Sequence, residues 1–200
     1  MKTIIFDMYG VIIKENRGNF RNFLTTRKPE ADEALYQPNY KLASSGQMPY
    51  GEFMALFGFR DADNGGQDYV ENFLTFDPDF HEFARQEKEN GVHLVLLSND
   101  ISEWSKMIRE YYQIEQYFDD CIISSEVGIR KPEESIFRLA LERVGEQPEN
   151  CIYIDDNPNN LAVAAGLGCQ TVLFRRDGGY DGKAVKSFGE LRTHIDMLKI

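Results

Sequence analysis

Five short apolar runs rich in β-branched residues punctuate the chain: residues 3–6 continued by 11–13, then 92–97, 121–124, 151–154 and 171–174. Runs of this length and composition, bounded by turn residues, predict buried strands. Between the last four, apolar residues recur with helical spacing. Ile136, Phe137, Ala140, Leu141 and Val144 share one face of a helix that follows Lys131-Pro132, and Pro132 suits its first turn. Leu161, Ala162, Ala165 and Leu167 follow Pro158 in the same manner, with Gly166 and Gly168 as the stop. A loop is expected at 177–183 and a last helix from Ser187. Strand and helix in alternation predict an α/β fold, a parallel sheet covered on both faces.

Residues 14–80 break this rhythm. They hold no good β run but several helical fragments, such as Phe20-Phe23-Leu24, Phe53-Leu56-Phe57 and Tyr69-Phe73-Leu74, separated by glycines. The chain is therefore expected to divide into a core, residues 1–14 and 80–200, and an inserted helical cap, residues 15–79. An insertion directly after the first strand falls at the carboxyl edge of the sheet, where open α/β folds bind ligands.

Charge narrows the partners. Twenty-two basic against 33 acidic residues leave −11 at pH 7, a surface that repels nucleic acid and anionic membranes. A hydrophobic content of 42%, with 14 Phe and 10 Tyr, nevertheless indicates a packed protein rather than an acidic disordered one. Cys121, Cys151 and Cys169 form an odd set without CxxC spacing, two of them opening apolar runs, as packing residues do. No apolar run reaches the ~20 residues of a membrane span. The first run meets Asp7 too early for a secretory signal, so a cytoplasmic location is expected.

Four chemical signals sit at the ends of the apolar runs: Asp7 in Phe6-Asp7-Met8-Tyr9-Gly10, Ser98-Asn99-Asp100, Lys131 in Gly128-Ile129-Arg130-Lys131-Pro132, and Asp155-Asp156-Asn157-Pro158. Alone, each has an ordinary structural reading as a turn acid, a helix N-cap, a surface lysine or turn chemistry. Parallel strands share a carboxyl edge, so all four are expected to converge on one pocket. Asp7, Asp155 and Asp156 would form an all-oxygen set suited to Mg²⁺ rather than zinc. Lys131 and Ser98 would face an anionic group opposite that cation. Such a set describes phosphoryl transfer, with one carboxylate placed for in-line attack.

In order and residue type the four segments resemble motifs I to IV of the haloacid dehalogenase superfamily. Connecting segments such as Ser125-Glu126-Val127-Gly128 and Ala164-Ala165-Gly166-Leu167-Gly168 share the likeness, and Ser45-Gly46-Gln47 resembles part of the small helical caps inserted between motifs I and II. The resemblance implies a Rossmann-like core and Mg²⁺-dependent hydrolysis of a small phosphorylated substrate through an aspartyl-phosphate. Carried over by position, Asp7 is the nucleophile, Ser98 binds the transferring group, and Asn99 shapes the pocket. Lys131 neutralises charge, Asp156 binds Mg²⁺ directly, and Asp155 stands behind the ligands or reaches the metal through water. Tyr9 offers its backbone carbonyl to the metal.

One position departs from the phosphatase pattern. Two residues after the nucleophile those enzymes usually carry a second aspartate as general acid–base, and here Tyr9 stands there. A phenol with an ordinary pKa near ~10 donates a proton but is a poor base at neutral pH. Tyrosine at this position is typical of the superfamily's 2-haloacid dehalogenases, which need no Mg²⁺, whereas the Asp155-Asp156 pair is not. Metal-dependent phosphatase, 2-haloacid dehalogenase and low-turnover phospho-ligand binding protein are therefore the three readings, in that order. Asn16, Arg17, Arg21 and Tyr50 are candidate substrate contacts from the cap.

Overall fold

A computed structural model describes residues 2–14, 19–177 and 184–198. Five strands, β1 (Thr3–Phe6), β2 (His93–Ser98), β3 (Asp120–Ile123), β4 (Cys151–Asp155) and β5 (Gln170–Leu173), form one sheet in the order β3-β2-β1-β4-β5. Every pairing is parallel, with β1 at the centre: Phe6 lies opposite Leu96 on one side and Ile154 on the other.

The four residues of β1 are all buried, because helices cover both faces of the sheet. Successive side chains point to opposite faces. Ile4 and Phe6 thus enter one hydrophobic cluster, with Phe80, Leu96 and Phe188, while Ile5 enters the other, with Val95, Phe137 and Tyr153. Among the described residues no helix is long and apolar enough to cross a membrane.

Between β1 and β2 the chain forms α1 (Asn19–Arg27), α2 (Tyr36–Ala43), α3 (Tyr50–Ala55) and α4 (Gly65–Phe73), then α5 (Asp79–Glu89). The first four are tied to the rest of the molecule by an aromatic cluster around Trp104 of α6 (Ser102–Tyr111). Its ring lies 5.2 Å from that of Phe20, 5.5 Å from Phe53 and 4.9 Å from Tyr69. The remaining helices are α7 (Ser124–Val127), α8 (Glu134–Val144), α9 (Pro158–Gly166) and α10 (Phe188–Met197).

Three local expectations change. Val11, Ile12 and Ile13 are fully buried but do not continue β1. Gly10 turns the backbone with φ +84°, and the N–H groups of Ile12 and Ile13 both donate to the carbonyl of Met8. The segment then pairs with the chain returning from α4: Lys14 donates to Thr75 at 2.7 Å, and Asp77 to Ile12 at 3.0 Å. Pro132 is not in the first turn of α8, which starts at Glu134 with Glu133 as its N-cap. The backbone before it is held elsewhere, on Asn99. In α9, Pro158 does occupy the first turn, but Asn160, Leu161 and Ala164 are the buried face, and Ala162 and Ala165 are exposed. Asn160 on this inner face donates to Asp155 at the end of β4 at 2.9 Å, so a polar residue shares the face that a purely apolar reading would assign to alanines. The last helix starts where Ser187 caps it, its side chain accepting from Glu190 N–H. The loop expected at 177–183 lies outside the described residues beyond Asp177.

Candidate active site at the carboxyl edge of the sheet

Asp7 follows directly on β1, and its N–H extends the ladder to the carbonyl of Ile154 at 2.9 Å. Asp155 ends β4, so register alone sets the two acids side by side. Lys131 bridges them: its Nζ is 2.8 Å from Asp7 Oδ1 and 3.0 Å from Asp155 Oδ2. Asn99, just past β2, fixes the lysine backbone at two points. Its Oδ1 accepts from Lys131 N–H and its Nδ2 donates to the Lys131 carbonyl, both at 2.8 Å.

The two oxygens of Asp155 are fully used. Oδ2 accepts from Lys131, from the hydroxyl of Tyr153 and from Asn160 Nδ2 at 2.9 Å, and Oδ1 accepts from Asn157 N–H at 2.8 Å. A carboxylate so occupied anchors its neighbours. Asp7 differs. Lys131 and the N–H of Met8, at 2.7 Å, both approach Oδ1, which leaves Oδ2 without a donor among the described residues. Asp156 lines the cavity at half-buried depth. Gly10 presses against it so closely that a Cβ there would lie 2.5 Å from the Asp156 carboxyl carbon.

Oxygens of Asp7, Asp155 and Asp156 lie within 4.8 Å of one another. Lys131 contacts two of these three acids, Asp7 and Asp155. Burial first, and then the Asp155 charge, push the Asp7 carboxyl up to about 8, against the opposing pull of Lys131. An all-oxygen donor set with surplus negative charge in a desolvated place fits a hard divalent cation such as Mg²⁺.

Ser98 is fully buried at the end of β2, and its hydroxyl has no hydrogen-bond partner. Such an orphan costs about 1–3 kcal/mol unless a ligand satisfies it. The Tyr9 side chain turns from Asp7 to Asp100, a buried acid whose carboxylate accepts the phenol at 3.2 Å and Ile101 N–H at 2.8 Å. Burial raises the Asp100 carboxyl to about 7 and carries the Tyr9 phenol well above its ordinary value.

These residues stand on a cavity of about 990 Å³ between the sheet edge and the inserted helices. Its wall includes Asp7, Tyr9, Asn99, Lys131 and Asp156, with Tyr36 and Tyr40 from α2. Ser98 and Asp155 are buried behind that wall. Of the cap candidates, Asn16 and Arg17 lie outside the described residues. Arg21 is exposed and paired with Glu33 at 2.6 Å, and Tyr50 packs on Trp104; neither lines the cavity. Residue patterns did not single out Asp100, Tyr153 and Asn160 for these roles. Only Asn160 carried a signal, a polar residue on the inward face of a helix just after paired acids.

The family model of haloacid dehalogenase-like hydrolases matches residues 1–168. The chain belongs to this family. Haloacid dehalogenase-like hydrolases similar to it differ in chemistry. A phosphoglycolate phosphatase of Aquifex aeolicus is 25% identical over 179 residues, 86% of this chain and 84% of that protein. The (S)-2-haloacid dehalogenase 4A of Burkholderia cepacia is 27% identical over 195 residues, covering 89% and 84%. A family enzyme of Bacteroides thetaiotaomicron, crystallised with magnesium and inorganic phosphate, shares the fold with a TM-score of 0.76 at 23% identity, over 91% of this chain and 97% of that one.

Proposed function

We propose that this hydrolase is a Mg²⁺-dependent, cytoplasmic phosphatase of small phosphorylated metabolites, working through an aspartyl-phosphate on Asp7. The observation that carries the reading is the cluster of Asp7, Asp155 and Asp156, whose oxygens lie within 4.8 Å of one another beside Lys131. Carboxylates held this close in a desolvated place favour a bound cation. Halide displacement from carbon makes no use of such a cation, whereas phosphoryl transfer to a carboxylate is assisted by one. The division into a core and a helical cap at 15–79 belongs to the same proposal, since it leaves the cavity between the two parts.

In this reading Oδ2 of Asp7 attacks phosphorus in line with the ester oxygen. The P–O bond to the leaving group breaks as the Asp7–phosphorus bond forms. Lys131 stabilises the charge of both carboxylate and phosphoryl group, and the buried hydroxyl of Ser98 just behind the wall would be satisfied by a phosphoryl oxygen that reaches past that wall. Asp7, Asp156 and the backbone carbonyl of Tyr9 would hold Mg²⁺, which when bound supplies further charge neutralisation at the phosphoryl oxygens. The Tyr9 phenol, committed to Asp100, is not aimed at the leaving oxygen, so that oxygen takes its proton from solvent or leaves as the anion. Water then hydrolyses the acyl phosphate and restores Asp7 with release of inorganic phosphate.

The relative named as a phosphoglycolate phosphatase and the neighbour crystallised with magnesium and phosphate support this reading. Tyr9 and the likeness to a 2-haloacid dehalogenase favour a second one, in which Asp7 displaces halide from carbon. Hydrolysis of p-nitrophenyl phosphate with Mg²⁺ and with EDTA, by wild type and Asp7→Asn, tests the first. Mg²⁺-dependent turnover lost in Asp7→Asn is expected. Halide release from a 2-haloacid in EDTA, without phosphatase turnover, would replace it with the second.

A further inference from the structure

Five cations line the main cavity: Lys14, Arg130, Lys131, Arg175 and Arg176. Four of them have carboxylate partners among the described residues. Lys131 serves Asp7 and Asp155. Lys14 and Arg176 share Asp77, at 3.7 and 2.6 Å, and Arg175 meets Asp177 at 3.4 Å.

Arg130 is the exception. Among the described residues its guanidinium pairs with no acid. It lies 5.9 Å over the Tyr40 ring, and Nη1 donates to the Lys41 carbonyl at 3.3 Å. Glu133, three residues on, meets Arg130 only through the backbone, donating its N–H to the Arg130 carbonyl at 2.9 Å. One long donor contact leaves most of the five N–H groups of a guanidinium unspent. In a protein of charge −11, a half-buried arginine without an acid is conspicuous.

Its position is also constrained. Arg130 directly precedes Lys131, whose backbone Asn99 grips at two points, so the arginine is carried on the most firmly fixed part of the loop. It lines both the main cavity and an adjoining one of about 440 Å³, together with Gln37, Tyr40 and Lys131. Asp7 lines the first cavity and not the second, whose wall adds Lys41, Pro132 and Glu133. A stacked, pre-oriented guanidinium is suited to bidentate capture of a carboxylate or phosphate.

We propose that Arg130 is a specificity residue that binds a second anionic group, a carboxylate or a second phosphate, on a substrate whose first phosphate sits at Asp7. This rests on the phosphatase reading above and adds the substrate class to it: phosphorylated carboxylic acids or bisphosphates rather than neutral phosphate monoesters.

The test compares ω-phosphorylated carboxylic acids of graded chain length, α,ω-diol bisphosphates and the matching n-alkyl phosphates, with p-nitrophenyl phosphate as the reference having one anionic group. Wild type, Arg130→Ala and Arg130→Lys are assayed with Mg²⁺. Wild type is expected to prefer one dianionic series over its alkyl match by about 10- to 100-fold in kcat/KM, the worth of one charge-assisted pair. In Arg130→Ala that preference should collapse through KM, with Arg130→Lys restoring part of it. The series preferred tells carboxylate from phosphate. Equal losses on every substrate, or no preference in wild type, would overturn the proposal.

A second arm needs no turnover: thermal stabilisation by phosphoglycolate against methyl phosphate, in wild type and Arg130→Ala with Mg²⁺. Stronger stabilisation by phosphoglycolate, abolished in the variant, supports the proposal even if no ester is hydrolysed. Equal shifts, or none, refute it. Absence of turnover on p-nitrophenyl phosphate counts separately, against the phosphatase reading.

Discussion

The phenol of Tyr9 donates to the carboxylate of Asp100 at 3.2 Å, across 91 residues of chain. That bond seats the phenol in a buried aromatic and acidic pocket, and we propose that the tyrosine closes the site rather than serving its chemistry. Tyr9→Phe should therefore cost stability more than catalysis. Losing the donor to a buried acid is worth about 1–3 kcal/mol in unfolding free energy. Turnover of an aryl phosphate should fall less than about 10-fold. A loss of 10²-fold or more in kcat at unchanged stability would return Tyr9 to acid–base duty.

A reaction without a positioned proton donor depends on its leaving group. A general acid contributes on the order of 10²–10⁴ in rate. Aryl and acyl phosphates should accordingly be hydrolysed at least about 10²-fold faster than alkyl phosphates of similar size. The check is a plot of log kcat/KM against leaving-group pKa, in which a steep negative slope is expected and a flat one is not.

Asp7 carries a pH signature. Its folded-state carboxyl is raised to about 8 from an ordinary 3.8, by burial and by Asp155. A raised acid contributes stability that is complete below the unfolded value and is lost as pH climbs through the folded one. Metal-free protein should therefore lose stability between about pH 4 and pH 8. Asp7→Asn should flatten that decline, melting higher than wild type at pH 8 and close to it at pH 4. Each ~1 kcal/mol relieved corresponds to roughly 2–4 °C at this chain length. Mg²⁺ should stabilise wild type more as pH rises, because it competes with a proton on the same group, and Asp7→Asn should lose most of this response. Parallel pH profiles for the two proteins would contradict the assignment.

Gly10 tests the metal side of the pocket. Its φ of +84° disfavours any Cβ, and the Cβ of alanine would stand 2.5 Å from the Asp156 carboxyl carbon. Gly10→Ala should fold with reduced stability and bind Mg²⁺ at least about 10-fold more weakly, because the displaced carboxylate is a proposed ligand. Calorimetric titration with Mg²⁺ measures this directly, and unchanged affinity would remove Asp156 from the ligand set.

We propose that Asn99 acts by positioning Lys131. Both of its amide groups bond the Lys131 backbone at 2.8 Å. Asn99→Ala should lower kcat by 10-fold or more through a displaced lysine, with a smaller effect on KM. A pure KM effect would show that Asn99 binds substrate instead.

Much of this was legible along the chain. The strands were, because a sheet covered on both faces asks for continuous β-branched runs, and residues 3–6 and 151–154 are such runs. The start of α9 at Pro158 and of α10 after Ser187 was legible too, since caps and first-turn prolines are local chemistry. Asp7, Ser98, Asn99, Asp155 and Asp156 sit at or just past strand ends, and parallel pairing in register brings such ends to one edge, whereas Lys131, in the loop after α7, is held at that edge by Asn99. Val11–Ile13 misled because burial selects apolar residues whether the backbone is a strand or a turn, and only the pairing with residues 75–77 distinguishes them.

What tertiary structure decided was direction and pairing. The phenol of Tyr9 turns toward an acid 91 residues away. Asp155 spends its oxygens on Lys131, Tyr153, Asn160 and Asn157, while Asp156 beside it faces the cavity. Arg130 is left without a carboxylate among the described residues, while the other cations of the cavity find theirs. Residue type and local spacing fix which groups arrive at the edge of the sheet. Which atom each one spends on a neighbour depends on distances between segments far apart in the chain, and no local pattern encodes those.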